Sequence, residues 1–104
     1  MNKEEILKII NTYGVMPQLK YFQSEVFELN EAIIKYEDYY YENYDEGIGK
    51  IEWVKWREHI AEEIADVLVM LNQFKEYYGI TDEEIINNME FKIKRQLERI
   101  DNNE

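Results

Sequence analysis

The sequence predicts an all-α fold, a helical bundle with a long antiparallel central hairpin. Apolar residues recur at intervals of three and four along most of the chain, and no segment shows the alternation of a half-buried strand. The single proline and the four glycines fall at breaks between these periodic segments, where helices end or begin. A chain of 104 residues supports one modest core, so we expect a single domain over residues 1–104.

Start and stop signals delimit the first helix. Asn2 with Glu5 three residues later is typical of a capping box, in which each side chain bonds the other residue's backbone amide. The helix is expected to run to about Tyr13, and Gly14 suits the left-handed residue that ends it. Pro17 suits the first turn of the next helix, where a backbone amide has no helical partner to lose.

Two long helices are expected to form the central hairpin, over about 17–43 and about 51–78. Gly79 closes the second of them, and Thr81 with Glu84 is a further capping-box pattern that opens a last helix. This last helix carries an apolar stripe of Ile86, Met89, Ile93, Leu97 and Ile100. Long apolar stripes on so few helices favour completion of the bundle by oligomerisation, so we expect at least a dimer.

Composition and charge exclude several classes of protein. The net charge of −11 opposes general binding to nucleic acid or to an anionic membrane surface. Cysteine is absent, which excludes disulfides and thiolate zinc sites and makes the cytoplasm the natural setting. No apolar run approaches the ~18 residues of a membrane span. Hydrophobic residues at 45% nevertheless favour a folded chain over a disordered acidic tail.

Two carboxylate pairs form the strongest candidate site, Glu25 with Glu28 and Glu63 with Asp66. At ~100° per residue, Glu25 and Glu63 lie at the same angle beside the apolar stripe of their helix, and Glu28 and Asp66 lie ~60° further round. The stripe of the second helix is Leu19, Phe22, Val26, Leu29 and Ile33, and that of the third is Trp53, Trp56, Ile60, Ile64, Val67 and Leu71. When two helices pack antiparallel, residues at the same angle from their apolar stripes lie on the same side of the interface. The two carboxylate pairs are therefore expected on one side.

The heights of the two pairs also agree. The point midway between them falls in the segment 44–49, which contains Gly47 and Gly49. A turn there brings the four acids together, as expected of a divalent-cation site. Carboxylate oxygens select hard ions, so Mg²⁺ is favoured and Mn²⁺ is an alternative. A di-iron bundle requires Glu-x-x-His pairs, and the only histidine, His59, has Trp56 at that spacing.

Other residues on the same face of the third helix have a structural as well as a functional interpretation. Gln73 lies one heptad after Asp66 and could contact a substrate or simply be solvated. Met70 is expected at the rim of the core and His59 at the surface. Both tryptophans are expected in the core, although an indole or a tyrosine ring could also stack on a base.

Basic residues near the end of the chain form a second candidate group. Lys92, Arg95 and Arg99 share one helical face. They could clamp the phosphate groups of a substrate, or they could form a solvated flank that suits a helix C-terminus.

Four short segments carry a family resemblance: QL at 18–19, EVFEL at 25–29, EEIADVL at 62–68 and KIKRQLER at 92–99. Their order and surroundings are similar to those of the MazG-like nucleotide pyrophosphohydrolases, of the all-α NTP pyrophosphatase superfamily. The similarity covers roughly residues 14 to 100.

The resemblance implies hydrolysis of a nucleoside triphosphate at the α–β phosphoanhydride bond, giving the monophosphate and pyrophosphate. It also implies a dimer or tetramer, and Mg²⁺ held by the two acidic motifs. The expected metal ligands, which are also the catalytic set, are Glu25, Glu28, Glu63 and Asp66. One of them is expected to take the proton of the attacking water, and Lys92 and Arg95 would offset charge on the leaving pyrophosphate.

The chain departs from the family pattern in two places. Ser24 stands where the family usually has a further glutamate. The segment between Glu28 and Glu63 has 34 residues, which is longer than the commonest family spacing. That segment holds the tyrosine-rich stretch, so the preferred base and sugar cannot be carried over.

Two other classes remain open from the sequence. The net charge of −11 and the small size also suit a non-catalytic acidic interaction module, such as a mimic of DNA. The long apolar stripes alone would suit a helical dimerisation domain. A DNA mimic would spread its acids over an outer surface, whereas the four acids of the two motifs border apolar stripes.

Overall fold

The computed structural model describes residues 1–42 and 50–103, and over these ranges the chain is all-helical, as predicted. The helices are α1 (Lys3–Tyr13), α2 (Val15–Glu42), α3 (Lys50–Tyr77) and α4 (Asp82–Asp101). The expected turn at Gly47 and Gly49 lies outside the described residues. No helix in the described ranges combines the length and the apolar character that a membrane crossing requires.

The helix boundaries follow local signals in the sequence. Asn2 caps α1, and its side-chain oxygen accepts two backbone amides of the first turn at 2.8 and 3.2 Å. Gly14 ends α1 with a φ of 93°, a conformation that residues with a Cβ rarely adopt. Thr81 and Glu84 form the predicted capping box at the start of α4.

Helices α1, α2 and α3 pack together, whereas α4 packs against none of them. Ile6 and Ile10 anchor α1, with exposed fractions of 7% and 0%. No Cα atom of α4 lies within 8 Å of a Cα atom of the other three helices, and all residues of α4 are exposed. An ion pair of 2.9 Å between Lys75 and Asp82 links the two sides of the α3–α4 turn. The helix α4 therefore extends away from the three-helix unit.

Residues early in α2 contact residues late in α3, and residues later in α2 contact residues earlier in α3. Near the start of α2, the Gln18 amide donates a hydrogen bond of 2.7 Å to Gln73 near the end of α3. Further along, Glu28 of α2 meets Glu63 of α3. This order of contacts places the acids about midway along the interface, between the start of α2 and the segment that joins the two helices.

The face of α2 that packs on α3 differs from the predicted apolar stripe. Three buried residues at heptad spacing occupy the seam: Gln18, Glu25 and Ala32. Their C-terminal neighbours, which the sequence predicts in the seam, are 38%, 41% and 42% exposed: Leu19, Val26 and Ile33. The predicted rotation of α2 is therefore wrong, because apolar periodicity identifies a face without showing what covers it. Glu25, expected beside the seam, lies within it.

Candidate metal centre

The packing of α2 on α3 brings three of the four predicted acids together. Glu25, Glu28 and Glu63 each offer a carboxylate oxygen, and these oxygens all lie within 4.8 Å of one another. Glu25 is only 4% exposed, Glu63 is half-buried and Glu28 is exposed. A spacing of three residues puts Glu25 and Glu28 on one face of α2, and Glu63 approaches that face from α3.

Asp66, the fourth predicted acid, lies beside the cluster. Its carboxylate lies close enough to that of Glu25 for its negative charge to raise the pKa of Glu25, so the two carboxyl groups are neighbours across the α2–α3 seam. Asp66 is exposed and also lines a cavity together with Tyr21. The site thus has a buried side, formed by Glu25 and Glu63, and an open side, formed by Glu28 and Asp66.

Within the described part of the chain, two oxygens on the buried side have no hydrogen-bond partner: Glu25 Oε2 and Glu63 Oε2. Buried polar atoms in proteins are almost always hydrogen-bonded, and an unpaired buried carboxylate is costly. A cation bound between these carboxylates would supply both the missing charge and the missing partner. An all-oxygen set with an open side for water and phosphate oxygens fits Mg²⁺.

Burial raises the pKa of the Glu25 carboxyl above its usual range. The charges of Glu28 and Asp66 raise this pKa further, while a hydrogen bond from the Tyr21 hydroxyl works in the opposite direction. The same hydrogen bond to Glu25, together with the negative charge of Glu25, raises the pKa of Tyr21. The surroundings of Glu25 therefore disfavour the ionised form of its carboxyl as long as no cation is bound.

A cavity of about 480 Å³ adjoins the acids on the side of α1. Asp66 and Tyr21 line it next to the cluster, and Tyr13 of α1 contributes a second aromatic ring. The amides of Gln18 and Gln73 also line it. We call this space the amide cavity. It combines apolar walls, aromatic rings and amide groups beside the acids.

Gln73 and Met70 are placed deeper than predicted. Gln73 is 1% exposed rather than solvated, and Met70 is 2% exposed rather than at the rim of the core. The Gln73 amide donates to Met70 Sδ at 3.5 Å and accepts from Gln18. These bonds leave the amide of Gln73 fixed at the wall of the amide cavity.

The structure does not bring the basic residues of α4 to the acids of the same chain. Lys92, Arg95 and Arg99 are exposed on a helix that packs against none of the other three. The Arg95 guanidinium lies 5.9 Å from the ring centroid of Phe91 one turn earlier. Any contact of these residues with the acidic cluster would therefore have to come from another copy of the chain.

The other aromatic predictions have mixed outcomes. His59 is exposed, as predicted, and its ring meets that of Trp56 edge to face at 6.3 Å between centroids. Trp56 is half-buried rather than fully in the core. The side chain of Trp53 lies outside the described part of the chain.

Sequence reasoning named Gln18 only within a family motif, and it assigned neither Gln18 nor Tyr21 to the site. Tyr21 precedes Glu25 by four residues, so the two share a helix face, and this spacing could have indicated their contact. Gln18 lies one heptad before Glu25, which could have placed it in the seam. Its partner Gln73 is 55 residues away in the sequence, and no local signal connects the two.

Comparisons of the chain with protein-family models, with curated proteins and with solved structures find no match. The similarity to the MazG-like family therefore stays a prediction from short motifs.

Proposed function

We propose that this chain is a Mg²⁺-dependent nucleoside triphosphate pyrophosphohydrolase. The observation that carries the proposal is the pair of buried, unpartnered oxygens of Glu25 and Glu63 within a group of three acids. Such a group suits a hard cation, and hydrolases of phosphate esters and anhydrides use cations held in this way. The motifs at 25–28 and 63–66, similar to those of the MazG-like family, favour pyrophosphohydrolysis within this class.

The four acids have different tasks in this proposal. Glu25, Glu28 and Glu63 would hold Mg²⁺, with Asp66 beside them, and Mn²⁺ is the alternative ion. Magnesium bound there would offset the charge of the triphosphate oxygens. One of the exposed carboxylates, Glu28 or Asp66, would accept a proton from the attacking water, since the other two face the seam.

The reaction cleaves one phosphoanhydride bond. Water adds to the α-phosphorus, the bond from this phosphorus to the α–β bridging oxygen breaks, and pyrophosphate leaves. The proton of the water passes to a carboxylate on the open side of the site. The products are a nucleoside monophosphate and pyrophosphate, from either a ribo- or a deoxyribonucleotide.

The amide cavity is the proposed place of the nucleoside. Its volume of about 480 Å³ is within the usual range of ligand pockets. Tyr13 and Tyr21 can stack on a base, and the amides of Gln18 and Gln73 can hydrogen-bond to its edge. Gln73 would thus keep the substrate-binding role predicted from the sequence.

We further infer that α2 and α3 form a long antiparallel hairpin and that oligomerisation completes the bundle. Exposed aliphatic residues on both long helices support this inference: Leu19, Val26 and Ile33 on α2, and Ile64, Leu68 and Leu71 on α3. The apolar stripe of α4 is likewise uncovered. In a homodimer or homotetramer, Lys92 and Arg95 of one copy would act on phosphates bound at the acids of another. We place this enzyme in the cytoplasm.

A pyrophosphate-release assay with each NTP and dNTP tests the proposal. We expect Mg²⁺-dependent turnover of at least one nucleotide, and EDTA should abolish it. Glu63→Gln should lower turnover by a factor of 100 or more while leaving the helical content unchanged, because the cluster loses a ligand. Glu62→Gln is the matched control, since Glu62 is the exposed neighbour outside the cluster.

The contrary outcomes point to a different class of protein. Normal pyrophosphate release by Glu63→Gln would show that the acidic cluster does not take part in the reaction. Inactivity across the whole panel, together with no binding of Mg²⁺, would favour the acidic interaction module.

A further inference from the structure

A second cavity lies beyond the acids, on the side away from the amide cavity. It measures about 410 Å³ and is lined by Lys35, Lys55, Trp56 and His59. We call it the lysine cavity. Lys35 and His59 also line an adjoining space of about 350 Å³, whose other walls include Glu28 and Glu63 of the acidic cluster. A continuous surface therefore leads from the acids to the two lysines.

The lysine cavity concentrates positive charge in a chain whose net charge is −11. Within the described ranges, no ion pair joins Lys35 or Lys55 to a carboxylate. Glu31 lies one turn before Lys35 and lines the adjoining space. Its carboxylate would repel a free anion, so the cavity favours an anionic ligand whose negative charge is partly offset by Mg²⁺. Two unpaired ammonium groups beside an indole suit a compact anion such as a phosphate group.

The distances along the helices match a polyphosphate that starts at the acids. At ~1.5 Å per residue, Lys35 lies ~10 Å along α2 from Glu28, and His59 lies ~6 Å along α3 from Glu63. A flexible lysine side chain shortens the first distance by several ångströms. The acids thus stand between two unlike cavities, one with amides and tyrosines and the other with lysines.

We propose that the lysine cavity binds the β- and γ-phosphates of the substrate and, after cleavage, the pyrophosphate product as its magnesium complex. The proposal rests on the proposed function, because it orients the nucleotide with its nucleoside in the amide cavity and its terminal phosphates toward Lys35 and Lys55. It gives the stabilisation of the leaving group to residues of the same chain as the acids. Trp56 and His59 would form one wall of this subsite.

Titration calorimetry on the full chain tests the subsite, with inorganic pyrophosphate and a nucleoside monophosphate as separate probes in excess Mg²⁺. Lys35→Gln and Lys55→Gln should each weaken pyrophosphate binding by about tenfold, as expected for the loss of a charge-assisted hydrogen bond. Both should leave binding of the monophosphate within about twofold of the wild type. Lys8→Gln, which removes an exposed lysine on α1, is the matched control. All three lysines are exposed, so the substitutions spare the core.

Several results would overturn the subsite. The subsite is contradicted if both lysine variants bind pyrophosphate as strongly as Lys8→Gln does. It is also contradicted if the wild type binds no pyrophosphate. An equal loss of monophosphate affinity in the lysine variants would place the nucleoside in the lysine cavity, and that also contradicts the proposal.

The same measurements separate the subsite from the proposed reaction. A wild type that hydrolyses no nucleotide but binds pyrophosphate through Lys35 and Lys55 would support the subsite and sink the reaction. Turnover combined with pyrophosphate binding that does not depend on the two lysines would support the reaction and sink the subsite.

Discussion

Helices α2 and α4 both carry exposed apolar residues at heptad spacing, but only α2 has a second face that is buried. In α2, the polar residues Gln18 and Glu25 are buried against α3, and their aliphatic neighbours Leu19 and Val26 are more than a third exposed. In α4, no residue is buried, and the stripe that includes Leu97 is open along its whole length. Amphipathic periodicity alone therefore does not show which face of a helix is covered.

The two regions are incomplete in different ways. At the α2–α3 seam, the amide of Gln18 is satisfied by Gln73, whereas Glu25 Oε2 has no hydrogen-bond partner among the described residues. Along α4, the missing component is an apolar surface, worth ~25 cal/mol for each Å² that becomes covered. A cation would complete the first region and a second copy of the chain the second. The following predictions separate these two requirements.

The largest effect is expected from a charge placed in the stripe of α4. Leu97→Glu should raise the dissociation constant of the oligomer by a factor of 100 or more, because covering an unpaired carboxylate costs several kcal/mol. Turnover should fall with it if basic residues of α4 act on a neighbouring copy. Light scattering coupled to size-exclusion chromatography measures the change.

The control for this charge is Asn87→Glu, which adds the same carboxylate ~100° round the helix from Ile86 and away from the stripe. Asn87 is exposed, and we expect its substitution to leave the oligomer intact. A wild type that stays monomeric at high concentration, or equal behaviour of the two variants, would show that the stripe of α4 has no such partner.

The next effect concerns the buried carboxylate in the seam. Glu25→Gln should raise the free energy of unfolding of the metal-free protein at pH 7 by about 1–3 kcal/mol, because it removes an anion with an unpaired oxygen from a buried place. For a domain of this size, each kcal/mol corresponds to ~4–8 °C in Tm. Glu37→Gln, at an exposed position of α2, should change little.

The pH dependence of this effect has a definite sign. Because the pKa of Glu25 is raised in the folded state, its protonated form contributes stability that is fully present below the usual value of 4.5. This contribution is lost as the pH rises through the higher pKa of the folded protein. Glu25→Gln should not lose stability in this way as the pH rises. If the Tm of the wild type and of Glu25→Gln falls equally as the pH rises above 4.5, the raised pKa of Glu25 is contradicted.

Magnesium should act in the opposite direction over the same pH range. It binds ionised carboxylates, so the rise in Tm that it causes in the wild type should grow as the pH increases. In Glu25→Gln this rise should be reduced or absent. An equal rise in both proteins would place the ion elsewhere.

The parts of the fold that were predicted from sequence depend on short-range interactions. Asn2 and Thr81 cap their helices through bonds to residues two or three positions away, so a local pattern suffices to locate them. The approach of Glu25 to Glu63 was predicted from the equal heights of the two motifs about the segment 44–49, and it holds although the predicted rotation of α2 is wrong. The caps need no knowledge of what packs around the helices, whereas the acids need only the pairing of α2 with α3.

The parts that could not be predicted depend on which elements cover each face. Helix α2 offers one apolar line through Phe22 and another through Val26, and the pattern does not show which line faces α3. The burial of Gln73 depends on a partner 55 residues away. The direction of α4 depends on the turn at Gly79 and on the ion pair of Lys75 with Asp82, which spacing alone does not reveal.

The smallest expected effect tests whether α4 behaves as a separate region. Thr81→Ala removes the hydroxyl that accepts the Glu84 amide at 3.1 Å and should cost ~1 kcal/mol of helix stability. Since α4 packs on no other helix of the same chain, hydrogen exchange should quicken for the first turn of α4 and stay unchanged around Ile10 and Met70. Thr12→Ala, at an exposed position in the last turn of α1, serves as the control and should leave hydrogen exchange in α4 unchanged. Faster exchange in the α1–α3 core of Thr81→Ala would mean that α4 stabilises this core, and the two regions would then have to be treated as one cooperative unit.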